Sequence, residues 1–445
     1  MTIHTIVISD IHLCEAMPGN GLWLRYRQKK YFPDTDFSQL VEYICATAEP
    51  KSVELVLNGD IFDFDVLPII DGEVLYDDCA RSEEHAIETM KRILQDHTVF
   101  IAALRKLHSA GHRLVFISGN HDTQLIFEGV RTILRTKISH NIIFRNWFYI
   151  SPNKIHIEHG NQYDSYTCYR YPAFPFDDTG KNIQPTLGSL TCRHLVSRMG
   201  FFNPHVDNSF MLSFSEYISH WVQHYFLTKR SLIFAWMKGS VRTFVTTWKS
   251  RTHIDERLLG RMLEEAYTET KISRELLRKH ILEFAKPSED ARIRVLRELH
   301  LDYLTLCIVV CALMVFTLTF SGEYLMLKTA IASCIVLSIY HYILPKNESL
   351  NSIFARVNAC ERNISDIYKV PAIVFGHTHA AFGIWQNEKF IGNSGTWTPR
   401  FLDIECTKPL STGRPVIWLT RQDAGNLSGG LYQWENGVLK KNHHS

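Results

Sequence analysis

Thr5-Ile6-Val7-Ile8-Ser9-Asp10-Ile11-His12 is an apolar β-type run that ends on a carboxylate and an imidazole two residues apart. Residues two apart at a strand end point to the same side, so both groups can reach one ion. The layout recurs. Val53 to Leu57 leads into Asn58-Gly59-Asp60-Ile61-Phe62-Asp63, and Leu114 to Ile117 leads into Ser118-Gly119-Asn120-His121-Asp122. Ile155 to Glu158 delivers His159-Gly160, and Ala372 to Phe375 delivers Gly376-His377-Thr378-His379. Glycine beside each ligand lets the backbone turn sharply and leaves room for ions and phosphate. Five strands with polar groups at their carboxyl ends make the binding edge of an α/β sheet.

Carboxylate, imidazole and amide oxygen suit zinc, manganese and iron, and two such ions need about seven or eight protein donors drawn from several loops. The five blocks supply that number. Taken singly, a His or Asp at a strand end reads as well as a cap or a surface residue. As a set the structural reading fails, because unpaired acidic and imidazole groups would otherwise cluster at heavy cost. His156, Asp65, Asp122 and Asp164 lie near the blocks and read as local hydrogen-bonders.

The set resembles the calcineurin-like metallophosphoesterase superfamily, whose pattern is DxH, GDxxD, GNHD or GNHE, H and GHxH, and all five blocks are matched in order. The resemblance implies that Asp10, His12 and His379 bind one metal and that Asn120, His159 and His377 bind the other, with Asp60 bridging them. It implies that His121 donates a proton or hydrogen bond to the phosphate or leaving oxygen, and that Asp63 orients it. Asn393-Ser394-Gly395-Thr396-Trp397 resembles the turn that follows the last histidine pair, and reads as structural. The expected cofactors are two divalent ions, of manganese, zinc or iron. Such a pair acidifies a bridging water so that hydroxide is present near neutral pH. No nucleophilic Ser or Cys is needed.

At 445 residues the chain can hold one large core plus insertions, and a net charge of +2 gives no global case for nucleic acid. Met1-Thr2-Ile3-His4 runs directly into the first strand without a basic n-region and apolar h-region, so no N-terminal signal peptide is expected. Ten cysteines occur without CxxC pairs. Three of them, Cys307, Cys311 and Cys334, lie in long apolar runs, and all ten read as reduced, buried small residues.

Between His159 and His377 lie more than two hundred residues where the core needs a few strands and a helix. Tyr303 to Phe320 is free of charge, and Tyr324 to Leu344 carries only Lys328 and His341. Each run approaches the roughly 20 residues that span a hydrocarbon core of about 30 Å. Only Ser321-Gly322-Glu323 separates them, and Pro345-Lys346 closes the second, so residues 303–344 read as a transmembrane hairpin. The rival reading is a buried helical hairpin of a soluble protein. Ligands before and after the hairpin must meet in one site, and an even number of spans returns the chain to the same face. Lys286, Arg292, Arg294 and Arg297 precede the hairpin and Lys346 follows it, which predicts a cytoplasmic catalytic domain.

Residues 171–302 read as a helical cap. Within it Ser213 to Arg251 interleaves Phe214, Trp221, Trp236 and Trp248 with Lys229, Arg230, Lys238 and Arg242, as an interfacial segment on anionic lipid does. Stacking on nucleic acid, or a plain cap core with a solvated basic face, would give the same pattern. Helical patterns at Phe37 to Ala48, Glu84 to Ala110 and Leu125 to Thr136 supply α layers, and Pro287-Ser288-Glu289 is a start signal. Short strands are expected at Phe382 to Trp385, Lys389 to Ile391, Val416 to Leu419 and Leu431 to Trp434, with a hairpin turn at Asn436-Gly437. The expected architecture is α/β: a two-sheet metallophosphoesterase sandwich flanked by helices, with core halves at 1–170 and 345–445, interrupted by the cap and the hairpin.

This layout also resembles the UDP-2,3-diacylglucosamine pyrophosphatases, which act on a lipid-linked pyrophosphate at the cytoplasmic leaflet. Many of those resemble a GNRD pattern, whereas this chain has Gly119-Asn120-His121-Asp122. The leading expectation is a membrane-associated hydrolase of a phosphoester substrate, lipid-linked or nucleotide-diphosphate-linked. A nuclease or cyclic-nucleotide phosphodiesterase on the same core, and a non-catalytic membrane-tethered interaction protein, are the alternatives.

Overall fold

Alternation along the strands decides which layer each side chain joins. In the computed structural model, which describes residues 2–17, 24–70, 73–74, 81–196, 222, 232–248, 255–321, 323–343, 363–403, 406–410, 413–422 and 425–441, β1 (Thr2–Ile8), β2 (Val53–Asn58), β3 (Arg113–Ile117) and β4 (Ile143–Arg145) run parallel. Val7, Val56, Val115 and Ile117 face one way, and Ile6, Ile8, Leu55, Leu57, Leu114 and Phe116 face the other. Both faces are apolar because both are covered.

The second sheet holds β5 (Phe148–Ile150), β6 (Ile155–Glu158), β7 (Ala372–Phe375), β8 (Phe382–Gln386) and β9 (Lys389–Asn393), in the order β8-β9-β7-β6-β5. Ile155, Ile157, Ala372, Val374 and Phe390 pack against Val7, Val56 and Val115 of the first sheet, and this seam is the interior of the sandwich. The first sheet is completed on the far side of β1 by the antiparallel strands β10 (Arg414–Gln422), β11 (Leu427–Glu435) and β12 (Val438–Lys441). Its order is β12-β11-β10-β1-β2-β3-β4. Asn436 and Gly437, with φ of 50° and 78°, make the expected two-residue turn.

Helices α1 (Asp34–Thr47), α2 (Glu83–Asp96), α3 (Thr98–Ser109) and α4 (Glu128–Lys137) cover the outer face of the first sheet through Phe37, Leu40, Met90, Phe100, Leu104 and Leu134. The single helix expected over Glu84 to Ala110 is two, broken at His97. That buried imidazole lies 2.8 Å from Asp34 Oδ2 and 2.9 Å from the Cys14 carbonyl, and the helix yields so that both ring nitrogens are satisfied. The pattern from Leu125 to Thr136 likewise divides at Phe127, between a 3₁₀ turn and α4.

From Leu187 onward the regular elements described in the insertion are helical: α5 (Leu187–Thr191), a π turn at Cys192–Val196, α6 (Leu232–Trp248), α7 (Glu256–Thr270), α8 (Arg274–Ile281) and α9 (Arg292–Glu298). Met262, Leu263, Ala266 and Leu277 close over Trp147 and Phe148, so α7 and α8 form the outer layer of the second sheet. Apart from residue 222 and α6, the aromatic and basic segment from Ser213 to Arg251 lies outside the described residues.

Two apolar helices follow, α10 (Leu301–Ser321) and α11 (Glu323–Ile343), packed side by side. Asp302 at the base of α10 accepts a 2.7 Å hydrogen bond from Tyr340 Oη of α11. Leu301–Phe320 is long and apolar enough to cross a membrane, whereas the apolar part of the second helix, Tyr324–Tyr340, is shorter. Their outward faces carry Ile308, Val315, Phe316, Phe320, Ile331 and Ile335, each more than half exposed. Cys307, Cys311 and Cys334 are exposed on these faces, against the expectation that all cysteines are buried, because no layer among the described residues covers them.

Candidate metal centre

Each parallel strand stops where its ligand block begins, and backbone hydrogen bonds knit the loops together. Asp10 N donates to Gly59 O (3.1 Å), His12 N to Asp60 O (3.0 Å), Phe64 N to His121 O (3.0 Å) and Gly376 N to His159 O (2.8 Å). The carboxyl ends of β1, β2, β3, β6 and β7 therefore meet at one edge of the sandwich. Asp10, His12, Asp60, His377 and His379 all adopt φ between 51° and 65°, a left-handed conformation uncommon outside glycine. Five of the seven residues expected to bind metal thus carry backbone strain of the kind that clusters where geometry serves a site.

Three overlapping groups of side chains result: Asp10, His12 and His379; His12, Asp60 and His121; Asp60, His159 and His377. His379 Nε2 lies 3.1 Å from Asp10 Oδ1, and His159 Nε2 lies 3.1 Å from Asp60 Oδ2. His12 Nε2 is 3.4 Å from His379 Nε2 and 3.9 Å from Asp60 Oδ2. Two donors on one ion at about 2.1 Å stand roughly 3.0–3.4 Å apart, so the three shorter separations are the spacings of shared ligands.

The residues fit a pair of cations on a second count. Asn120 Oδ1 is buried and makes no hydrogen bond, a costly state for a polar atom, while the buried Asp10 Oδ1 and His159 Nε2 meet only other members of the set. Burial lowers the His159 pKa, yet the Asp60 and Asp10 carboxylates outweigh it and push the group up to about 9. A field that holds a proton on that ring equally favours a metal ion. Asp60, which burial alone would raise, is held well below the usual carboxylate range by His159 and His121.

His121 stands beside the ligands. Its Nδ1 is 3.3 Å from Asp63 Oδ1 and 3.3 Å from Asp65 Oδ2. Burial pulls its pKa down, but Asp60, Asp63 and Asp65 together push it up to about 10. Asp63 Oδ1 also accepts from the backbone N–H groups of Asp65 and Val66, which fixes it behind the imidazole.

The residues read as local hydrogen-bonders divide. Asp122 is one: it accepts from Gly119 N at 2.6 Å and Ile61 N at 2.8 Å, and so ties the second block to the third. Asp164 Oδ2 lies 3.1 Å from His377 Nε2, and Asp65 faces His121, so both support site imidazoles. Asp65 follows Asp63 at the same two-residue spacing as Asp10 and His12, a signal present in the sequence. Asp164 had none. His156, in contrast, makes no hydrogen bond. The turn at Asn393 to Trp397 buttresses the loops: Trp397 N and Thr396 Oγ1 both donate to Asp10 O, and Asn393 Nδ2 donates to Gly376 O.

Residues 3–197 match the family described as calcineurin-like phosphoesterase. The matched stretch contains the first four blocks, and Gly376-His377-Thr378-His379 lies beyond it. No curated protein matches the chain. That match over residues 3–197, with the His and Asp clusters, indicates a metal-dependent phosphoester hydrolase.

Proposed function

We propose that this hydrolase works at a membrane surface with a dinuclear centre, and that its substrate is a lipid-linked or nucleotide-diphosphate-linked phosphoester. The observation that carries the dinuclear reading is the convergence of six of the seven expected donors from four strand ends, five of them in left-handed backbone. Asp10, His12 and His379 would hold one divalent ion, Asn120, His159 and His377 the other, and Asp60 would serve both. When bound, such ions supply charge neutralisation for the phosphate and a water acidified enough to act as nucleophile near neutral pH.

The chain's own groups do the rest. With its Nδ1 against Asp63 and Asp65, His121 keeps a proton and delivers it from Nε2 to the departing oxygen, a role typically worth about 10²–10⁴-fold in rate. Asp164 orients His377 as an outer carboxylate does for a ligating imidazole. Arg193 enters from the insertion, donating to the Phe64 carbonyl at 2.9 Å with its Nε 3.7 Å from Asp65 Oδ1, so the insertion reaches the rim of the site.

Membrane placement is supported by the hairpin, whose apolar outer faces would leave a large unbroken patch in water. Both helices leave from and return to the catalytic domain, and the basic residues Arg292, Arg294 and Arg297 precede the first. The domain division into core, cap and hairpin belongs to the same reading.

The test is an assay of detergent-purified protein supplemented with manganese or zinc on lipid-linked pyrophosphates, nucleotides, nucleic acid and generic phosphoesters, with His121→Ala as control. Preference for the amphiphile is expected. Hydrolysis of nucleic acid or cyclic nucleotides with indifference to lipid would replace the substrate assignment, and recovery in the soluble fraction without detergent would end the membrane one.

A further inference from the structure

A second cluster of metal-binding side chains sits on the opposite face of β6 from the sandwich interior. Ile155 and Ile157 point into the seam between the sheets, so strand alternation sends His156 and Glu158 outward, under the insertion. There α8 contributes His280, and the three groups, all buried, bring their donor atoms together. His280 Nε2 stands 3.4 Å from Glu158 Oε2, and His156 Nε2 stands 3.6 Å from the same oxygen.

These separations are long for hydrogen bonds and close to the edge of a tetrahedron around one ion, about 3.3–3.4 Å for bonds near 2.0–2.1 Å. Glu158 Oε2 and both nitrogens of His156 are buried without any hydrogen bond. His156 is fixed between the ring of Phe148, centroids 4.9 Å apart, and that of Tyr368 at 5.0 Å, so it cannot swing away to find a partner. A carboxylate oxygen and imidazoles held in the dry at these separations satisfy one another poorly, a cost that a cation lying among them removes.

The surroundings orient the donors for that role. Tyr368 Oη meets His280 Nδ1 at 2.9 Å, which leaves Nε2 to face Glu158, and Tyr163 Oη donates to the other carboxylate oxygen, Oε1. Such partners fix tautomer and orientation around a metal. With its own proton on Glu158, Tyr163 Oη accepts from His280 Nε2 at 2.8 Å, a bond that a cation would replace, leaving the phenol oxygen or a water as the fourth ligand. Burial holds the His156 pKa below its ordinary value, as a neutral, ligating imidazole requires.

We infer that His156, Glu158 and His280 bind a third divalent cation, with zinc chemistry, that fastens the inserted helix α8 to strand β6. The site is separate from the dinuclear centre although Glu158 and His159 are neighbours, because consecutive residues leave the strand on opposite faces. Its role is structural: β6 belongs to the core, α8 to the insertion, and Tyr368 to the segment that follows the hairpin, so one ion joins all three.

The full chain, purified in detergent, is stripped with a chelator, reloaded with zinc, desalted and its zinc counted by mass spectrometry. Three equivalents are expected for the wild type and two for His156→Phe and His280→Phe. Two in the wild type, or three in both variants, would overturn the assignment. Should those variants fail to fold, a chain carrying Asp10→Ala, Asp60→Ala and His377→Ala decides. It should keep one equivalent, and with cobalt(II) show the intense visible absorption of a tetrahedral site. Its retaining no metal overturns the site equally.

Discussion

Replacing Gly119 with alanine should disable the site while leaving the fold standing. A Cβ at position 119 would lie 2.2 Å from Asp60 Oδ1, 2.6 Å from Asp60 N and 2.9 Å from Asp60 Cγ. The backbone nitrogen cannot retreat easily, since the same residue's carbonyl accepts from His12 N at 3.0 Å. The carboxylate must therefore give way by about 1 Å to reach ordinary contact, and it is the one group shared by both proposed ions and by His121, whose N–H donates to Oδ1 at 2.7 Å. A displacement of about 1 Å in a catalytic group costs on the order of 10²-fold in rate. Overpacking should cost roughly 1–3 kcal/mol of stability, tolerable for a domain of this size. The assay is kcat on an aryl phosphate across a manganese titration, with bound metal counted and thermal unfolding followed in parallel. Gly111→Ala is the control: at φ +83° with Lys51 Cγ 2.7 Å from the new methyl, it should lose about 1 kcal/mol and no activity. A Gly119→Ala enzyme with wild-type kcat and its full metal content would refute the placement of Asp60 as the shared ligand.

His121→Ala should lower kcat by about 10²–10⁴-fold on substrates with poor leaving groups and by much less on aryl phosphates, which depart without a proton; an equal loss on both classes would argue against proton donation. Glu289, its Oε2 buried without a hydrogen bond beside Asp290, is pushed up to about 8 chiefly by burial. The unfolded chain releases that proton near 4.5, so stability should fall as pH rises from about 4.5 to 8 by roughly 1–3 kcal/mol. Glu289→Gln should flatten this slope, and unfolding midpoints at pH 5 and pH 8 that move alike in both proteins would exclude it. A cysteine at Glu323 should react with an impermeant maleimide only from the face opposite to one at Lys286, above the background of native cysteines. Labelling of both from one side would refute two spans.

The candidate ligands were legible because each is encoded locally. An apolar run, a glycine and a ligand within a few residues suffice to place Asp10, Asp60, Asn120, His159 and His377 at strand ends, and the parallel pairing of β1, β2 and β3 then makes them neighbours. The left-handed φ of five ligands was not legible, since nothing in Asp or His announces it; the surrounding loop bonds impose it. Asp164 and His280 were missed for a different reason. Their partners, His377 and Glu158, lie 213 and 122 residues away in the chain, and only the packing of the insertion brings them together. The break at His97 was hidden in the same way, in a tertiary contact with Asp34 that overrides a continuous helical pattern.

The insertion is tied to the site by its ends more than by its length. Residues 161–168 follow His159 directly and give Asp164 and Thr167 to His377, at 3.1 and 3.2 Å. Residues 363–368 precede β7 and give Tyr368 to the cluster on β6. Between these two anchors, Arg193 and His280 apart, the chain including the apolar hairpin can vary without moving a donor of the dinuclear set, because β6 and β7 are adjacent parallel strands whose register is set in the sheet, Ile155 to Ala372 and Ile157 to Val374. A parallel pair requires a crossover in any case. Here the crossover is the insertion itself, so the apolar hairpin sits in a connection that the sandwich needs in any case, leaving β6 at the edge that carries the ligand loops and re-entering the sheet at the opposite edge, at the start of β7.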